Sequence, residues 1–298
     1  MVLGAHDAVN LEGSGDKDYQ YGTQFDDVFV GHELSNSYSA TSLANLDSHD
    51  GDIMYGFGGN DEFSGGKGGD HIDGGDGSDT ANYILSPNPI SVNLSNLTND
   101  GYAEADDGFS NIDDAKDRLY SIENIIGSDQ NDADGNGDSI TGDAKANILK
   151  GMGGKDSLEG GYGDDILTGG AEADQFILNA LSTDTITDFN RNEGDIIKIN
   201  KSAYGINRLS DLSFNSRTGE LTASTVEDPI AILENPVRFA VNSTNISLFA
   251  AEVDPNPNTP STPGTPSIPT TPTIPGFGDL FPDIDLDFGG SNNPFSFL

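Results

Sequence analysis

Between residues 142 and 177 the chain reads GDAKANILK, GMGGKDSLE, GGYGDDILT and GGAEADQFI, consecutive nine-residue blocks with no gap. Aligned on their first residue, a glycine, they place Asn147, Asp156, Asp165 and Asp174 at position 6, and Leu149, Leu158, Leu167 and Phe176 at position 8. A second array, DSHDGDIMY, GFGGNDEFS, GGKGGDHID and GGDGSDTAN at 47–82, carries Asp52, Asp61, Asp70 and Asp79 in the sixth place. One apolar residue per short unit specifies a solenoid whose turns stack, not a conventional globular core.

The glycines at positions 1, 2 and 4 allow the positive φ of a tight turn, and the residues after the acid suffice for a very short strand. Two blocks then make one coil, and residues stacked on the same side are eighteen apart. That spacing pairs Asp52 with Asp70, Asp61 with Asp79, Asp138 with Asp156, Asn147 with Asp165, and Asp156 with Asp174. Stacked strands lie about 4.8 Å apart, where two bare carboxylates repel by about 3 kcal/mol at an effective dielectric of 20. One buried side chain per nine residues does not offset the entropy of ordering nine backbones. A counter-cation is therefore required, and hard oxygen donors with no Cys and four His favour Ca²⁺ over zinc or copper. Five inter-coil ions are expected, one per pair, the weakest being the one that uses uncharged Asn147.

GGKGGDHID and GGYGDDILT fit every position of GGxGxDxUx, and the arrays resemble the RTX (repeats-in-toxin, haemolysin-type) calcium-binding repeat. The resemblance implies an all-β fold, a right-handed parallel β-roll with Ca²⁺ between the loops of consecutive coils. Position-6 side chains and turn carbonyls would hold it. The carbonyl candidates this implies are Gly59, Gly66, Gly68, Gly75, Gly77, Gly154, Gly161, Gly163 and Gly170.

The stretch DADGNGDSITGD at 132–143 supports two readings. Asp132, Asp134, Asn136, Gly137 and Asp143 fall on positions 1, 3, 5, 6 and 12 of an EF-hand-like loop. Position 8 of that loop is Ser139, however, and no helices flank it. The favoured reading is a repeat with an inserted loop, in phase through Asp138 and Ile140, which leaves room for a further ion.

The rest of the chain divides around the arrays. Residues 1–20 form a polar lead-in or first coil, and GTQFDDVFV at 22–30 is a degenerate repeat with Asp27 and Phe29 in phase. The roll is expected over 21–178, with arrays at 47–82 and 133–177 and irregular coils of the same solenoid between them. Residues 179–253 are expected to form a β-rich cap of antiparallel strands, and TITDF and DIIKI there resemble the segment capping such arrays, including the serralysin C-terminal domain. Asp188 and Asp195 are open to two readings, further ligands or solvated turn carboxylates, of which the second is favoured. From 254 to 275 a proline every third residue gives a polyproline spacer of roughly 65 Å. An acidic and apolar tail follows at 276–298.

A net charge of −37, from 13 Lys+Arg and 50 Asp+Glu, disfavours nucleic acid and anionic membranes as partners. No apolar run is long enough to span a bilayer, and the N-terminus lacks the pattern of a signal peptide. No HExxH, G-x-S-x-G, Walker A or dinucleotide fingerprint is present, and His71 stands at a solvent-facing position of its repeat. The expected function is a non-catalytic extracellular calcium-binding protein, folding on Ca²⁺ outside a bacterial cell as a surface, matrix or adhesion component. The resemblance implies export by a type I (ABC) system, with the tail as export signal or as anchor to a surface partner. The alternative is a secreted hydrolase carrying a calcium-binding module.

Overall fold

The computed structural model describes residues 10–12, 19–22, 27–30, 51–109, 116–131 and 135–250. The chain divides into two units, Met1–Ala251 and Glu252–Leu298. The proline spacer, the tail, Asp132 and Asp134 lie outside the described residues.

Among those residues the protein is built of short strands, with one 3-10 turn at Leu209–Asp211 and no α-helix. The strands distribute between two eleven-stranded sheets. In the first, Asn10–Glu12, Val28–Val30, Glu62–Ser64, Thr80–Asn82, Asn124–Ile126, Ile148–Gly153, Ile166–Ala171, Asp184–Ile186 and Ala231–Leu233 stack in parallel. In the second, Tyr19–Tyr21, Ile53–Tyr55, His71–Asp73 and Asp117–Tyr120 form one parallel run. Ser91–Asn93, Ser139–Thr141, Ser157–Glu159, Gln175–Leu178, Ile196–Asn200 and Ile246–Phe249 form another. Met54 pairs with Ile72, Leu158 with Phe176 and Leu149 with Leu167, each eighteen residues apart. This is a parallel β-roll.

Each array strand buries its central residue between the two sheets and turns its flanks outward, as a two-residue period demands. Phe29, Met54, Phe63, Ile72, Ala81, Leu149, Leu158, Leu167 and Phe176 are fully buried in this way. Phe29 and Phe63 stack with ring centroids 4.5 Å apart. The outer face carries a second aromatic run in which Tyr21 stacks on Tyr55, and His71 lies between Tyr55 and Tyr120. His71 is thus half-buried among rings rather than simply facing solvent.

Two expectations need correction. The segment between the arrays supplies one regular coil, Asp117–Tyr120 with Asn124–Ile126, but Ala103–Asp106 runs antiparallel to both its neighbours. A tight turn at Thr98–Tyr102, with Gly101 at φ 86°, folds the chain back on itself where the nine-residue phase is lost. The second sheet therefore takes in two additional strands at a place where the first passes directly from Asn124–Ile126 to Ile148–Gly153. The cap, in turn, is antiparallel only at Leu212–Asn215, Glu220–Ala223 and Ala231–Leu233. Asp184–Ile186, Ile196–Asn200 and Ile246–Phe249 prolong the parallel ladders. At the other end, Asn10–Glu12 and Tyr19–Tyr21 join the two sheets, the first-coil alternative for the polar lead-in.

Candidate calcium sites

The acids at position 6 form two columns along the roll, one leading into each sheet. The backbone N–H of one donates to the carboxylate Oδ1 of the next: Asp52 to Asp70 at 2.7 Å, Asp61 to Asp79 at 2.8 Å, and Asp138 to Asp156 at 2.7 Å. Asn147 donates likewise to Asp165 at 2.8 Å, and Asp156 to Asp174 at 3.0 Å. All five pairs read from the eighteen-residue spacing are brought together by the fold. Each column is buried although made of carboxylates.

The second oxygen of these groups exposes the problem. Oδ2 of Asp70, Asp79, Asp156, Asp165 and Asp174 is buried and accepts no hydrogen bond. Burial, with neighbouring carboxylates adding to it, pushes the carboxyls of Asp156 and Asp174 up to about 8, and those of Asp79, Asp138 and Asp165 to about 6. A buried, unsatisfied carboxylate is costly unless a cation meets it. Among the described residues no three His, Cys, Asp or Glu side chains converge, so an ion here needs backbone carbonyls as well. Turn carbonyls do lie close to the next coil: those of Lys145 and Met152 press on Gly163 and Gly170. Carboxylate and carbonyl oxygens are the donor set Ca²⁺ takes.

The glycines act in two distinct ways. Gly59, Gly66, Gly68, Gly75, Gly154, Gly161, Gly163 and Gly170 have positive φ, whereas Gly77 does not. Phe57 and Met152 hold the same left-handed turn position without being glycine, as does Glu172 at position 4. The first glycine of each repeat is needed for space instead. A Cβ on Gly65, Gly151, Gly160 or Gly169 would sit 1.9–2.2 Å from Oδ2 of its own repeat's aspartate. This corrects the reading that position 1 is a glycine for its φ.

Two substitutions separate these effects. At Gly101, with φ 86° and nothing within 4 Å of a new Cβ, Ala should cost only the backbone strain, about 1–2 kcal/mol. At Gly163, with φ 104°, the Cβ would meet the Lys145 carbonyl at 2.4 Å. Gly163→Ala should therefore cost clearly more in urea unfolding with calcium present and should raise the calcium midpoint, while Gly101→Ala leaves that midpoint unchanged.

Both columns run past the repeats. Asp27 donates to Asp61, Asp70 to Asp117, Asp79 to Glu123, Asp165 to Asp184 and Asp174 to Asp195. Asp195 is buried, not solvated, and its Oδ2 accepts the Asn190 N–H. Asp188 accepts the N–H groups of Gly169 and Gly170. The signal for the missed acids Asp117, Glu123 and Asp184 was present: each stands two residues before a buried apolar residue, as position 6 stands before position 8, and Asp195 does the same. In the 132–143 stretch, Asp138 occupies the ladder and Ile140 the core, as the inserted-loop reading expects, while Asn136 is exposed.

The family model of the RTX calcium-binding nonapeptide repeat, written as 4 copies, matches residues 52–82 and 141–176. These are RTX calcium-binding repeats. RTX nonapeptides bind Ca²⁺, and the matched spans hold most of the paired acids. No curated protein matches the chain.

Proposed function

We propose that the chain is a non-catalytic RTX protein that folds on Ca²⁺ outside the cell and serves as a surface, matrix or adhesion component. The observation that carries this reading is the pair of buried carboxylate columns with unsatisfied oxygens, which make the fold conditional on a divalent cation. Sites of carboxylates and carbonyls between repeats suit the calcium levels of extracellular modules, around 10⁻⁴–10⁻³ M. In a calcium-poor cytosol the same columns would repel and hold the chain unfolded, the form a one-step type I exporter accepts. No helix of the described residues is long and apolar enough to cross a membrane.

A depression of about 360 Å³ beside the turns that follow the second-sheet strands is lined by Leu94, Leu97, Asp143, Glu159 and Tyr162, among others. Its carboxylates are already engaged: Asp143 accepts the Lys145 N–H, and Glu159 accepts the Asn179 amide.

Deleting residues 276–298 tests the export arm. If the tail is the export signal, the truncated protein should stay in the cell, whereas normal release with lost surface association makes it an anchor. Either result leaves the calcium reading standing, which is tested by titration instead.

A further inference from the structure

The first-sheet column contains one joint unlike the others. Where Glu123 meets Asn147, the position-6 acid is replaced by an amide, and Lys145 stands at position 4 of the same repeat. The Lys145 ammonium lies 2.6 Å from Glu123 Oε1, and Glu123 Oε2 accepts the Asp79 N–H at 3.1 Å. Both oxygens of this largely buried carboxylate are thereby engaged. The Asn147 amide nitrogen donates to the Glu123 carbonyl at 2.7 Å, and Asn147 Oδ1 accepts the Asp143 N–H at 2.8 Å. A backbone carbonyl on one side and a backbone N–H on the other fix which way that amide points.

The turn itself also differs. In GGYGDD the second and fourth residues, Gly161 and Gly163, have φ of 97° and 104°, whereas neither Asp143 nor Lys145 has a positive φ. This turn lacks the left-handed conformation found at the other calcium-type turns, and every oxygen named at the joint already accepts an N–H.

Resting on the calcium reading above, we propose that Lys145 takes the place of a calcium ion at this joint, bolting the two RTX arrays together with a built-in cation. The column then has a calcium-independent link in its middle, between the strand Asn124–Ile126 and the strand Ile148–Gly153 that pairs with it. That link is where the two arrays meet, so each array grows outward from it when calcium arrives. Charge-assisted hydrogen bonds of this kind are among the stronger ones. The Lys145 side chain is 61% exposed, so solvent weakens the pair, but a tethered ammonium cannot be diluted away as an ion can.

Two variants test this. Lys145→Met keeps the apolar stem and removes the charge. In chelator, hydrogen exchange at Asn124–Ile126 and Ile148–Lys150 should be the slowest in the parent roll, and Lys145→Met should speed it there by about tenfold. The double variant Lys145→Gly, Asn147→Asp restores the repeat to GDAGADILK. It should bind one calcium more per chain than the parent, counted by calorimetry on the folded, calcium-loaded protein. Unchanged exchange in Lys145→Met, or a calcium ion coordinated by Glu123 in a calcium-bound parent crystal, would overturn the proposal. An unchanged ion count in the double variant would do so as well. A parent that binds no calcium at all would instead defeat the reading beneath it, while the exchange measurement would still judge Lys145.

Discussion

Stripping calcium from the folded protein is expected to dismantle the arrays, with loss of β-type circular dichroism and of resistance to proteolysis, and restoring calcium should rebuild them. Each coil buries little apolar surface, while the columns bury Asp70, Asp79, Asp156, Asp165 and Asp174, whose second oxygens have no donor. With the ion, those oxygens would be coordinated and the columns would hold the coils together. Without it, the same groups repel, and binding free energy becomes folding free energy. A chelated sample that kept both its dichroism and its protease resistance would contradict this account.

The pH dependence of the chelated protein follows from the same groups, and its sign is unusual for aspartates. In the metal-free fold Asp156 and Asp174 titrate near 8 and Asp79, Asp138 and Asp165 near 6, against an ordinary value of 3.8. A folded-state value above the unfolded one means that ionisation opposes folding. The penalty is absent below the ordinary value and complete above the raised one. In chelator, lowering the pH from about 8 towards 5 should therefore restore part of the β signal. With calcium bound the dependence inverts, because protons compete for the ligand oxygens. A chelated protein whose dichroism fell steadily on mild acidification would show that the columns are not what holds it unfolded.

How much of this was legible in the sequence depends on what each residue must do. The periodic acids and the apolar residues two places on were readable because their spacing is the spacing of the coil, and all five eighteen-residue pairs meet in the ladders. The roles of Asp117, Glu123 and Asp184 were hidden because the turn glycines before them are gone, although the acid-to-core spacing survives. The antiparallel Ala103–Asp106 was invisible for another reason. Alternating apolar residues fit a strand in either direction, and only the turn at Gly101 settles which way it runs. Nothing in the repeat pattern marks Lys145, because its partner Glu123 is twenty-two positions away, off the eighteen-residue spacing.

Removing one charge from the middle of a column should have opposite effects with and without calcium. Asp156 has a carboxylate on either side, receiving the Asp138 N–H and donating its own N–H to Asp174. In Asp156→Asn the amide oxygen can still accept from Asp138, so the ladder hydrogen bond survives while the charge is lost. In calcium the variant should bind about two ions fewer and need roughly tenfold more calcium to fold, since affinity in such sites follows ligand charge. In chelator it should be more stable than the parent, because a buried repelling charge is gone. Asp165→Asn is the control within the same array. One neighbour of Asp165 is Asn147, whose oxygen is already taken by Asp143, and the other is Asp184. Its substitution should cost about one ion and a smaller shift. Equal ion losses in the two variants would show that calcium is not shared between successive acids, and a loss of stability in chelator would mark Asp156 as a packing residue rather than a ligand.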